Sequence, residues 1–120
     1  MSADLKALAG EQYAYLTTTG RVSGEPREIE IWFGTDGDRR IYLLSGGGDR
    51  SDWFKNLRAD PRVSIRIGSE TFEGTARIVA DPGEDARVRE LILDKYQSGY
   101  SGDLTNYRTN AIPVAIDLAS

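Results

Sequence analysis

The stretch RVSIRIGSETFEGTARIV, residues 62–79, decides how this chain folds. Its first six residues alternate apolar Val63, Ile65 and Ile67 with polar Ser64 and Arg66, the period of two that sends side chains to opposite faces of a strand. Gly68-Ser69 suits a two-residue turn, because glycine reaches the positive φ that such turns demand. The returning arm, 71–79, puts Phe72, Ala76 and Ile78 on one face, and Gly74 marks a bulge or bend. The whole reads as a β-hairpin, which points to antiparallel neighbours and argues against a doubly wound parallel sheet.

Downstream, DPGE at 81–84 carries Asp81 as a helix N-cap, Pro82 in the first turn and Glu84 at the capping-box position. The helix it opens has Val88, Leu91, Ile92 and Tyr96 along one stripe. A polar segment with two tyrosines, SGYSGDLTNYRTN at 98–110, leads to a final strand, IPVAIDL at 112–118.

Upstream, Asp60-Pro61 ends a short helix capped by Asp49 or Ser51, on which Trp53, Phe54 and Leu57 share a face and read as packing residues. RIYLLS, 40–45, is apolar on both faces, as a central strand requires. TDGD at 35–38 is hairpin turn chemistry. REIEIWF, 27–33, alternates charges with Ile29, Ile31 and Phe33, and Glu28 and Glu30 read as a solvated face rather than paired catalytic carboxylates. Trp32 falls on that polar face, which implies a covered surface and suits a dimer seam. QYAYLTTTG, 12–20, is the first strand, after a short helical arm at 3–9. The order β-β-β-α-β-β-α-β predicts one domain over residues 1–120. It is mainly β with flanking helices, a six-stranded antiparallel barrel.

Composition narrows the function. At 120 residues, 39% hydrophobic and 28% charged, the chain has the profile of one globular domain. Twelve arginines and three lysines are scattered and the net charge is -4, so no basic stripe follows a nucleic-acid backbone. No run is long enough to span a bilayer, and no signal peptide is evident, which predicts a cytoplasmic protein. With neither Cys nor His, thiol nucleophiles, imidazole bases and the usual zinc and haem ligand sets are absent, and no metal-ligand spacing exists. If the chain is an enzyme, its hard chemistry belongs to a bound organic cofactor.

Two loops could hold one. LSGGGDRSD, 44–52, sets three glycines before a helix. It is either a place where main chain approaches a ligand or a plain strand-to-helix connection, and it lacks the Gly-Lys-Ser/Thr ending of a P-loop. Asp49 and Asp52 satisfy the helix dipole themselves, so a phosphate there meets repulsion unless Arg50 offsets it. In TTTGRVSGEPR, 17–27, Arg21, Ser23 and Arg27 offer the guanidinium forks and hydroxyl that anion recognition requires; the alternative is a solvated hairpin loop.

LTTTGRVSGEPREIEIWF, then LLSGGGD, then WFKNLRADPRVSIRIG, together with the closing IPV, resemble the deazaflavin-dependent nitroreductases of the flavin and deazaflavin oxidoreductase superfamily. The resemblance spans about residues 13–80 and implies a homodimeric split β-barrel of the FMN-binding split-barrel type. It implies a reductase that uses coenzyme F-420, the alternatives being an FMN-dependent split-barrel oxidoreductase or a non-catalytic flavin- or deazaflavin-binding protein. By motif position, Gly20, Arg21, Ser23, Gly24 and Arg27 meet the cofactor's phosphate and tail. Ser45, Gly46, Gly47, Gly48, Asp49 and Arg50 support its ring, with Trp53 and Asn56 behind them. Tyr107, in the segment where the family's substrate-side tyrosines lie, and Ser45 are the implied catalytic residues. The implied partner is a small electron acceptor, a nitroaromatic, quinone or activated alkene.

Overall fold

The computed structural model describes residues 5–37, 39–46, 50–97 and 111–119. In chain order the elements are α1 (Leu5–Leu8), β1 (Ala14–Thr19), β2 (Pro26–Ile31), β3 (Gly34–Thr35), β4 (Arg40–Ser45), α2 (Asp52–Ala59), β5 (Arg62–Ile67), β6 (Glu70–Ile78), α3 (Pro82–Gln97) and β7 (Ile112–Leu118). The hairpin at 62–79 pairs Ser64 with Glu73 and Ile65 with Phe72, and Gly68 turns it with φ +60. Gly74 makes no bulge. It stays in register between Val63 and Leu118, and a Cβ there would lie 2.7 Å from Ile116 Cγ2 and 2.8 Å from the Asp117 carbonyl. The missing side chain is what lets β7 approach. Ile78 departs from the expected core face and is 43% exposed.

All strands form one antiparallel sheet, in the order β2-β1-β5-β6-β7-β4-β3. The described residues hold seven strands rather than six, because the single strand expected over 27–33 is broken. β2 ends at Ile31 on one edge, β3 begins at Gly34 on the other, and Trp32-Phe33 carries the chain across. The sheet therefore curls until its two edges meet at these residues. The cause of the break is α3. Its Tyr96 hydroxyl accepts from the Phe33 N–H at 3.1 Å and donates to the Gln12 carbonyl at 2.8 Å, and Lys95 Nζ donates to the Phe33 carbonyl at 3.1 Å. Phe33 thus gives both its backbone groups to helix side chains, and a strand cannot continue through it. Trp32 is half-buried, packed against this same helix. Its indole stacks on Tyr96 at 4.3 Å and 5°.

Two cores result. Inside the curl, Leu16, Phe33, Ile41, Leu43, Ile65, Ile67, Val114 and Ile116 meet Phe54 and Leu57 of α2. On the outside, Tyr42, Leu44 and Ala115 meet Val88, Ile92 and Tyr96 of α3. β4 is buried on both faces because it lies between them, which explains its unbroken apolar run. Each aliphatic side chain so buried contributes about 1.5–3 kcal/mol. On α3, Leu93 is buried and Leu91 is 36% exposed, a rotation of the expected stripe.

Asp81 caps α3 as expected, its carboxylate accepting from the Glu84 N–H at 2.8 Å. The return half of the capping box is replaced, since the Glu84 carboxylate is taken by Arg77 of β6 at 2.8 and 2.9 Å. Arg77 also reaches Asp117 of β7 at 2.8 Å. One guanidinium thereby ties the start of α3 to two central strands.

Candidate functional site

A cleft of about 570 Å³ opens between α2 and the edge strand β2. Its position follows from the strand period. Along β1, Ala14, Leu16 and Thr18 face inward, and their partners across the ladder are Ile31, Ile29 and Arg27. The first two rows lie in the core. The third reaches the rim, where Thr18 forms the floor and Arg27 one wall. α2 faces that wall with Asp52, Trp53 and Asn56.

The turn between β1 and β2 supplies the end of the cleft. Gly20 N–H donates to the Glu25 carbonyl and Gly24 N–H to the Gly20 carbonyl, both at 2.8 Å, and Gly24 has φ +75. A Cβ on Gly20 would stand 3.0 Å from Ser23 Oγ and 3.1 Å from the Glu25 carbonyl, so the tight turn requires glycine there. Ser23 Oγ accepts from the Glu25 N–H at 3.2 Å. The turn projects Val22, 93% exposed, past the cleft.

Asn56 locks this turn to α2. Its Oδ1 accepts from the Arg21 backbone N–H at 3.2 Å and from Arg21 Nη1 at 2.8 Å, while its Nδ2 donates to Thr18 Oγ1 at 3.3 Å. The residue is 4% exposed, and among the described residues no buried side-chain polar atom is left unpaired. Arg21 Nη2 then reaches the Asp52 carboxylate at 3.3 Å. Arg27 has no ion-pair or hydrogen-bond partner among the described residues. A lone guanidinium on one wall, a second arginine fixed at the end, a serine, and the apolar Ile29 and Trp53 beside them suit a ligand with an anionic group joined to a planar apolar one.

The structure therefore brings together Gly20, Arg21, Ser23, Arg27, Trp53 and Asn56. Gly24 falls on the far side of the turn, against a smaller groove of about 350 Å³ with Thr17 and Thr19. Gly46 and Arg50 are exposed and do not line the cleft, and Asp52 meets Arg21 rather than Arg50. Ser45 has no exposed surface, and its hydroxyl donates to Ser51 Oγ at 3.2 Å, just before α2. Ser51 is the N-cap of α2 by position, without a side-chain capping bond. Gly47, Gly48, Asp49, Tyr100 and Tyr107 lie outside the described residues. Thr18 escaped the motif reading. For Thr18 a signal existed: a hydroxyl at the end of the inward face of β1. Among the described residues no group of three or more potential metal ligands occurs.

The family described as F420H(2)-dependent quinone reductase matches residues 4–119. A relative in Mycobacterium tuberculosis (strain ATCC 25618 / H37Rv), an F420H(2)-dependent quinone reductase, is 35% identical over 107 residues, 84% of this chain and 69% of that one. Among solved structures, an F420-H2 dependent reductase superposes with a TM-score of 0.68 at 23% identity, covering 90% of this chain and 94% of that one. A FAD-binding protein of Mesorhizobium loti does so with a TM-score of 0.71 at 15% identity, covering 97% and 85%. These two likenesses establish the split-barrel fold.

Proposed function

Since the chain belongs to the F420H(2)-dependent quinone reductase family, we propose that the cleft between α2 and β2 holds coenzyme F-420 and that the protein reduces quinone-type acceptors there. The observation that carries the placement is Arg27, a guanidinium with no described partner, beside Ile29 on the β2 wall and facing Trp53 of α2, with the Arg21 turn at the end of the cleft. The donor set fits the cofactor: Arg21, Arg27 and Ser23 for its phosphate, and an apolar wall for the start of its planar part.

When bound and reduced, F-420 supplies a hydride, and a quinone that gains it together with one proton leaves as the quinol. The protein contributes position. Asn56 holds Arg21 against α2 before any ligand arrives, so the ordering cost of that side chain is met on folding. Trp53 and Ile29 supply apolar surface on the two facing walls of the cleft. With no His or Cys in the chain, a tyrosine is the available proton donor, and Tyr107 is the residue we assign to it. Nitroaromatics and activated alkenes are electrophiles of the same kind and belong to the same acceptor class.

The same reading makes the protein a homodimer. A solved structure 25% identical to this chain, with a TM-score of 0.68 and covering 90% of it, is a domain-swapped dimer, and the exposed Val22 beside the cleft is a place for a second copy to cover. It also makes the protein cytoplasmic. No helix among the described residues is long and apolar enough to cross a membrane, and a chain without cysteine suits a reducing compartment.

Anaerobic mixing with reduced F-420 and a soluble naphthoquinone tests the reading. Return of the oxidised cofactor's absorbance, dependent on protein and acceptor, is expected; no return with a quinone, a nitroaromatic or an activated alkene would sink it. Arg21→Ala should weaken F-420 binding by about 1–3 kcal/mol, the scale of a lost charge-assisted hydrogen bond. An unchanged affinity would remove the phosphate from this end of the cleft.

A further inference from the structure

The helix α3 packs on β4, β3 and β7. On the other half of the sheet, the outer faces of β2, β1 and β5 stay open among the described residues: Glu28 and Glu30 are exposed, and Tyr15, Thr17, Ser64 and Arg66 are half-buried. One row there crosses three strands, since Tyr15 of β1 pairs with Glu30 of β2 on one side and with Arg66 of β5 on the other. The Tyr15 hydroxyl donates to Glu30 Oε2 at 2.8 Å, the Arg66 guanidinium stands 4.3 Å from the centre of the Tyr15 ring, and Arg66 Nη1 donates to the Gly68 carbonyl at 3.2 Å. Both charged ends are therefore held in place. Yet among the described residues Glu30 forms no ion pair with a base, and Arg66 none with an acid.

The row reads negative, aromatic, positive, and a two-fold axis lying over β1 and parallel to it turns that order onto its own complement. Such an axis exchanges the two sides of β1 while keeping height along the strand, so Glu30 of each copy meets Arg66 of the other. In the next row Glu28 meets Ser64, because both pair with Thr17. A regularly twisted sheet keeps its shape under this rotation, so the twist does not oppose the fit. The outside of the curl is convex. Tyr15 and Thr17 therefore meet their counterparts at the centre, and the long Glu30 and Arg66 side chains span the wider gap on either side.

We propose that the outer face of β2, β1 and β5 is the surface through which two copies of this chain associate, with Glu30 of each paired to Arg66 of the other. The proposal rests on the homodimer reading above and assigns that dimer a surface. The axis leaves the sheet past the β1–β2 turn, which brings the exposed Val22 of both copies to one end of the interface. Three strands of six residues, about 20 Å long and about 4.8 Å apart, present an area at the low end for specific interfaces, so the dimer should dissociate on dilution.

Sedimentation velocity of the full chain over a concentration series at low ionic strength tests it. Wild type should dimerise reversibly. Arg66→Glu and Glu30→Arg, each checked for folding by circular dichroism, should dimerise at least about tenfold more weakly, because like charges then face each other. An equimolar mixture of the two variants should recover the wild-type affinity, since every contact between them is again between opposite charges. Arg66→Gln and Glu30→Gln replace any reversal that does not fold and should weaken the dimer in the same direction. Variants that dimerise as wild type does, or a mixture no tighter than either variant alone, would overturn this surface while leaving the homodimer. A wild type that stays monomeric at every concentration would overturn the homodimer reading, and this surface with it.

Discussion

At Gly74 a hydrogen atom separates a strand from its neighbour. By sequence the position reads as a bulge or bend, yet a methyl group there would press on Ile116 Cγ2 at 2.7 Å and on the Asp117 carbonyl at 2.8 Å. Backbone cannot step aside as a flexible side-chain end can, so Gly74→Ala should cost about 1–3 kcal/mol in urea unfolding; equal stability would mean that β7 shifts freely. Lys95 presents the opposite case, a long side chain held in place. Burial pushes its ammonium down to about 8, against the opposing charge of Glu11, while the Phe33 carbonyl at 3.1 Å and the Phe33 ring at 3.5 Å receive it. Between pH 8 and the ordinary lysine value of 10.5 the unfolded chain holds a proton that the folded one has released. Stability should therefore rise with pH across that window, and the penalty should be fully present below it. Lys95→Met should abolish the rise. Denaturation midpoints measured from pH 7 to 10 check this, and parallel curves for the two proteins would refute it.

Elements show which parts of the design were legible. β4, β5, β6, β7 and α2 follow from alternation, from apolar runs and from the Asp60-Pro61 stop, because each of those signals is local. The break between β2 and β3 is not local: its cause, Tyr96, stands 63 positions from the Phe33 amide it binds. The same holds in the cleft. Arg21 and Arg27 were legible as anion-binding side chains, but the pairing of Arg21 with Asp52 depends on a turn folding back across 31 positions. A helix end gives a testable case as well. Arg77 holds the Glu84 and Asp117 carboxylates below their ordinary values and is the largest cause for both, with Arg40 adding to the effect on Asp117. That contribution is present above the usual carboxylate range, about 4, and is lost as pH falls through the lowered values. Arg77→Leu should therefore cost about 1–3 kcal/mol at pH 7, a figure kept modest because the guanidinium is 37% exposed. The gap to wild type should close as the pH falls through the lowered carboxylate values. A gap of constant size would show that packing rather than charge is responsible.

For the whole molecule, the single sheet closes at one place. Tyr96 bridges the Gln12 carbonyl and the Phe33 amide there, and burial raises its hydroxyl above the ordinary tyrosine value, so the donor proton is retained. Tyr96→Phe should leave the ring stacked on Trp32 while removing both bonds. Hydrogen exchange should then quicken at the Phe33 amide by about ten- to a hundredfold, the equivalent of about 1.5–3 kcal/mol, with amides in β5 and β6 unchanged. Faster exchange throughout the sheet would show that the closure is coupled to global stability and is not a local seam.

The strand order also sets a timetable. β7 is the last strand in chain order yet lies between β6 and β4. Until residues 112–118 leave the ribosome, the nascent chain can assemble only two separate fragments, β2-β1-β5-β6 and β3-β4, each with an unpaired border. Those borders invite pairing with neighbouring nascent chains, and the exposure to misassembly ends when one seven-residue segment slides into the gap.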